Sequence, residues 1–78
     1  MHELGISRNI VAIVGEAACG RRVRRITLEI GKLSGVMPHA VEFCFDLAAE
    51  GTAAAGAVLE IRETAGEELT IKSIDLED

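Results

Sequence analysis

An α+β fold, with a three-stranded mixed β-sheet carrying two α-helices on one face, is what this sequence predicts. Two segments with apolar residues at helical spacing and three short segments with alternating apolar residues predict it, in the order helix, strand, helix, strand, strand. That order fits one sheet covered most economically on a single side. A length of 78 residues allows one small domain. With 49% hydrophobic but only 3% aromatic residues, the core must come from Ile, Leu, Val and Ala, with Phe43 and Phe45 as its large fillers.

The first helix is expected over residues 3–18. Ile6, Ile10, Ile13, Val14 and Ala17 recur on its apolar side and Ser7, Arg8, Asn9 and Glu16 occupy the other, before Gly20 stops it. After a run of arginines at 21, 22, 24 and 25, Ile26, Leu28 and Ile30 alternate and define a half-buried strand over 24–30. The arginines read as the solvated entrance of that strand. Gly31, Ser34 and Gly35 mark a loop over 31–37, and Pro38 suits the first turn of a second helix running to about Glu50. In this helix Met37, Val41, Cys44, Phe45 and Ala48 form one apolar stripe and Ala40, Phe43 and Leu47 a second, so it should pack against the sheet and a neighbour as well. Glu42, Asp46 and Glu50 remain as a polar row, and Gly51 ends the helix. A loop over 52–56 leads to a strand over 58–62, with Leu59 and Ile61 facing the core. A five-residue hairpin turn over 63–67 then leads to the last strand, over 68–76. There Leu69 and Ile71 share a phase, whereas Ile74 and Leu76 take the opposite one. The slip at Ser73 predicts a β-bulge.

Composition excludes several functions. A net charge of −5 with no Trp or Tyr offers neither a basic stripe nor a stacking platform for nucleic acid. No apolar stretch reaches the ~18 residues of a membrane span, and no basic segment with an apolar signal core opens the chain, so a cytoplasmic protein is expected. Cys19 and Cys44 form no CxxC pair and imply neither a disulfide framework nor a zinc knuckle. Cys44 reads as core packing and Cys19 as a surface thiol at a helix end. No nucleophile–base constellation, phosphate loop or pocketed carboxylate pair is present, so no enzyme is expected.

Metal chemistry is offered by Met1, His2 and Glu3. An α-amine, the His2 amide nitrogen and the His2 ring close two adjacent chelate rings, and the Glu3 amide supplies a fourth nitrogen. Four nitrogens in a plane suit Ni(II) or Cu(II), where Zn(II) takes a tetrahedron. An ordinary exposed terminus offers the same atoms. His39, next to Pro38, reads as a solvent-facing histidine.

The opening MHEL, residues 23–36 (VRRITLEIGKLSGV), 43–47 (FCFDL), 56–61 (GAVLEI) and 67–76 (EELTIKSIDL) resemble, in order and over nearly the whole chain, the HypA/HybF family of nickel metallochaperones for hydrogenase and urease. The resemblance implies Ni(II) held at Met1 and His2 with Glu3 beside them, maturation of [NiFe]-hydrogenase as the role, and a HypB-type GTPase and the hydrogenase large-subunit precursor as partners. Family members insert a zinc domain with two CxxC pairs between the last two strands. This sequence has none of those cysteines at 63–67, so a zinc-domain deletion, engineered or natural, and the absence of structural zinc are expected. The shortened connection would also favour a homodimer by exchange of the last strand. The alternative reading is a small α/β protein-interaction module that keeps the scaffold without a physiological metal role.

Overall fold

A computed structural model of the chain describes residues 2–78. Its elements are α1 (Glu3–Ala18), β1 (Val23–Gly31), α2 (Pro38–Ala49), β2 (Val58–Thr64) and β3 (Leu69–Leu76). The sheet has the order β2-β1-β3, with β1 parallel to β2 and antiparallel to β3. The expected mixed sheet with two helices is therefore the architecture, and β1 is the strand in its middle.

Ile26, Leu28 and Ile30 are buried on the helix side of β1, and Thr27 is buried on the other side between neighbours on both flanks. As edge strands, β2 and β3 bury their apolar residues only in part, at Leu59, Ile61, Ile71, Ile74 and Leu76. The bulge at Ser73 is present. Thr27 pairs with Ser73 but Leu28 pairs with Ile71, leaving Lys72 as the extra residue and returning Ile74 and Leu76 to the core side. A second slip, between Val23 and Arg25, leaves Arg24 unpaired and turns Val23 inward.

The helices differ from expectation in two ways. α1 buries Ser7, Ile10, Val11, Val14 and Ala18, whereas Ile13 is exposed. Its buried arc lies between the sheet and α2 rather than on the sheet alone, which rotates Ser7 inward. Ser7 meets the cost of burial by donating its hydroxyl to the Val41 carbonyl at 3.2 Å. In α2 only Phe45 of the two phenylalanines fills the core; Phe43 is exposed, as is Leu47 on the same stripe, while Ala40 is half-buried. Cys44 is half-buried and Cys19 exposed, in a left-handed conformation at the end of α1.

The connection after β2 is not a hairpin. With β1 lying between β2 and β3, residues 65–68 cross two strand spacings, about 10 Å, over the end of β1. Gly31 donates its amide to the Glu68 carbonyl at 2.7 Å, Lys32 to Thr64 at 2.8 Å and Leu33 to Gly66 at 2.9 Å. Gly31 is required by this close approach, since a Cβ there would collide with the Gly66 carbonyl.

The outer face of the sheet is a charged ladder. Glu60 accepts from Arg25 at 2.9 Å and from Arg62 at 3.2 Å, and Arg25 also lies 3.9 Å from Asp75. Arg22 and Arg21 face Glu77 and Asp78. Arg21, Arg22 and Arg25 of the basic cluster are thus ion-paired at the entrance of β1.

Two expectations follow. Gly31→Ala should lower stability by about 1–3 kcal/mol in chemical denaturation. Gly15→Ala, in α1 with open space around it, should raise it by about 0.5–1 kcal/mol; equal effects at both sites would refute the crossing geometry. The Arg25 guanidinium first, then that of Arg62, holds the Glu60 carboxyl below the usual carboxylate range. A depressed folded value stabilises above the unfolded value, about 4.3, and that contribution is lost as pH falls through the folded value. Wild type should therefore exceed Glu60→Gln in denaturation midpoint at neutral pH, with the gap closing in acid.

Candidate metal centre

The two helices run parallel, and the same sequence offset links them twice. Ser7 on α1 reaches Val41 on α2, and one turn earlier the Glu3 carboxylate accepts the Met37 amide at 3.2 Å; both separations are 34 residues. The starts of α1 and α2 therefore lie together at one end of the molecule. A carboxylate on the amide that opens a helix is favourable for electrostatic reasons, because the helix N-terminus carries unpaired N–H groups and a partial positive charge. The Met37 amide first, then the Glu3 amide itself, holds the Glu3 carboxyl below the usual carboxylate range.

His2 is exposed and occupies the N-cap position of α1, where its carbonyl accepts the Ile6 amide at 3.1 Å. Its side chain makes no capping bond, so the ring is not engaged in holding the helix. Glu3, as the first helical residue, has an amide with no acceptor one turn back in the helix. The structure thus brings together an accessible imidazole, two backbone nitrogens outside the helical ladder and an anchored carboxylate. Met1, named with them from the sequence, lies outside the described residues.

His39 stands at the same end, two residues beyond Met37, fully exposed, with Nδ1 3.5 Å from the Glu42 carboxylate one turn further along α2. No set of three His, Cys, Asp or Glu side chains among the described residues could hold a metal. A metal held here would accordingly draw on backbone nitrogen, a donor that prefers Ni(II) or Cu(II) in a plane. The link that sequence reasoning missed is Glu3 to Met37. Its signal was visible only as an acid at the first position of a helix, a placement that says nothing of a second helix.

Two concave surfaces lie on the molecule, the second of them bordering the start of α2. One, of about 150 Å³, is lined by Ile6, Ile10, Ile13, Leu28, Leu69 and Ile71 with Asn9 and Thr70, between α1 and β3. The other, of about 260 Å³, lies at the carboxyl ends of β1 and β2, between Ile30, Val36, Met37 and Pro38, with Lys32, His39 and Glu63 at its rim. Neither assembles a nucleophile with a base.

The family described as "HypA: Hydrogenase/urease nickel incorporation, metallochaperone, hypA" matches residues 1–69. A hydrogenase maturation factor HypA from Nostoc sp. is 67% identical over 66 residues, covering 85% of this chain and 58% of the relative. The HypA of Geobacter sulfurreducens is 52% identical over 66 residues, covering 85% of this chain and 60% of that one. The chain therefore spans about three-fifths of the length of these curated relatives. The solution structure of the Ni metallochaperone HypA from Helicobacter pylori superposes with a TM-score of 0.73 at 15% identity, covering all of this chain and 95% of that one, which shows the same fold. By profile and by identity alike, the chain belongs to the HypA family.

Proposed function

We propose that this chain is a nickel metallochaperone domain for maturation of [NiFe]-hydrogenase, taking Ni(II) as cargo rather than as a resident cofactor. The observation that carries the reading is the exposed His2 ring beside the backbone of Glu3, at a helix start fastened to α2 by the Glu3 carboxylate. The His2 ring and amide nitrogens, the Glu3 amide and the Met1 amine form the ligand set. Its donors fit: deprotonated amides are strong in-plane ligands, and the Glu3 carboxylate adds negative charge beside a dication.

Loading and release need no bond-breaking chemistry. Proton release accompanies metal binding, because amine, imidazolium and amides must give up protons before they coordinate. The family's described role in nickel incorporation supports a chaperone that hands metal on and is not itself an enzyme, and the setting proposed for it is the cytoplasm. Among the described residues no helix is long and apolar enough to cross a membrane. The HypB-type GTPase and the hydrogenase large-subunit precursor are the proposed partners.

The same reading places a deleted zinc domain at the crossing over β1. The four-residue connection 65–68 supports it. Nickel handling without structural zinc follows, in one domain spanning residues 1–78.

Nickel titration of protein with a free Met1 amine, read by visible absorption and calorimetry, should give one-to-one binding that His2→Ala removes. Affinity should rise from about pH 6.5 to 8.5, because binding releases protons. Binding that survives His2→Ala, or that is flat across this range, would overturn the ligand set.

A further inference from the structure

α2 carries a surface that the fold does not use and nickel does not need. Phe43 is 69% exposed and Leu47 52% exposed, one turn apart and on the same face as Ala40. Large apolar residues grouped at helical spacing on a domain of this size mark a docking surface more often than isolated ones do. Alongside them runs the row Glu42, Asp46 and Glu50, each exposed, and α2 contains no Lys or Arg. Only Glu42 meets a basic side chain among the described residues, that of His39; Asp46 and Glu50 have no ion-pair partner there. Apolar stripe and acidic row lie side by side along about two turns, roughly 10 Å of helix.

We propose that the outer face of α2 docks a basic amphipathic helix of a partner protein, whose apolar side covers Phe43 and Leu47 while its lysines or arginines meet Asp46 and Glu50. Charge decides between this occupant and a second copy of the chain. Two such faces meeting would bring two acidic rows together on chains of net charge −5. Of the basic cluster, Arg21, Arg22 and Arg25 already pair with Asp78, Glu77, Glu60 and Asp75, which leaves Arg24 as a single charge against the acidic row of a second copy. A helix matches the spacing, because ridges three and four residues apart on α2 accept side chains repeating at the same interval.

The proposal stands apart from the nickel reading and is tested without metal. The full chain, labelled with ¹⁵N, is titrated with a synthetic Leu/Lys amphipathic helix and, in parallel, with its Leu/Glu counterpart. The Lys peptide should shift amides centred on Ala40, Phe43 and Leu47, weaken with salt, and lose about tenfold or more in affinity in both Phe43→Ser and Asp46→Lys. The Glu peptide should not bind. Both positions are exposed, so the spectrum of each free variant should retain the wild-type pattern away from α2. Shifts centred instead on the cavity near Ile13 and Leu69, equal binding of both peptides, or indifference to Asp46→Lys would overturn the proposal. So would a dimer in sedimentation equilibrium that Phe43→Ser dissolves, because it would give this face to a second copy.

Discussion

Every other element is placed by the burial of β1 on both faces. A strand with Ile26, Leu28 and Ile30 fully buried on one side and Thr27 buried on the other must sit in the middle of the sheet, with hydrogen-bonded neighbours along both edges. Each of those three apolar side chains is worth about 1.5–3 kcal/mol when removed from water, which makes β1 the richest source of stability in a small chain. Once β1 is central, β2 must be reached by a crossover through α2, and β3 must return across the end of β1 to reach the far edge. The bulge at Lys72 then has a reason. It restores Ile74 and Leu76 to the helix side, opposite a β1 whose own slip at Arg24 has already turned Val23 inward.

The parallel helix pair is a second consequence, and it has a cost. Two parallel helices lying side by side put both positive N-termini at one end, where the exposed His2 also lies. A bare end of that kind would repel a dication. The Glu3 carboxylate offsets it by accepting the Met37 amide, and the Ser7–Val41 bond one turn away fixes the helix register. In the proposed site, deprotonated amide nitrogens would carry the remaining negative charge to the metal. The geometry of the scaffold and the chemistry of the donors therefore serve the same end.

Much of this was legible in the sequence because it rests on local periodicity. The alternation in 24–30, the glycine after each helix, Pro38 at the start of α2 and the phase slip at Ser73 each report a backbone state through neighbouring residues. What was not legible depends on neighbours distant in sequence. Ser7 looked solvated because nothing in 3–18 announces the Val41 carbonyl that accepts its hydroxyl. Phe43 looked like core because an apolar stripe reads the same whether a partner lies inside the chain or outside it. The 63–67 segment looked like a hairpin because strand adjacency in sequence is usually adjacency in space; here β1 claims both neighbours. At the candidate site, the donors His2 and Glu3 could be read directly, but their attachment to α2 could not.

Partition of the surface follows from the same architecture. On the sheet's outer face Glu60 lies between Arg25 and Arg62 with Asp75 beside Arg25, so these charges are balanced internally. α1 is engaged by the sheet and α2, leaving Leu4 and Ile13 as its exposed large apolar residues. Among the described residues α2 keeps both an apolar stripe and an acidic row in which Glu42 alone has an ion-pair partner. If the metal end and the helix face serve different encounters, then a chaperone can hold cargo at one end while a partner grips the side of α2. The nearest point of contact between the two is the Met37–Glu3 bond at the first turn of that helix. Pressure on α2 from a docked partner would reach the proposed metal site at His2 through that bond, since Glu3 is fastened to the amide that opens the helix.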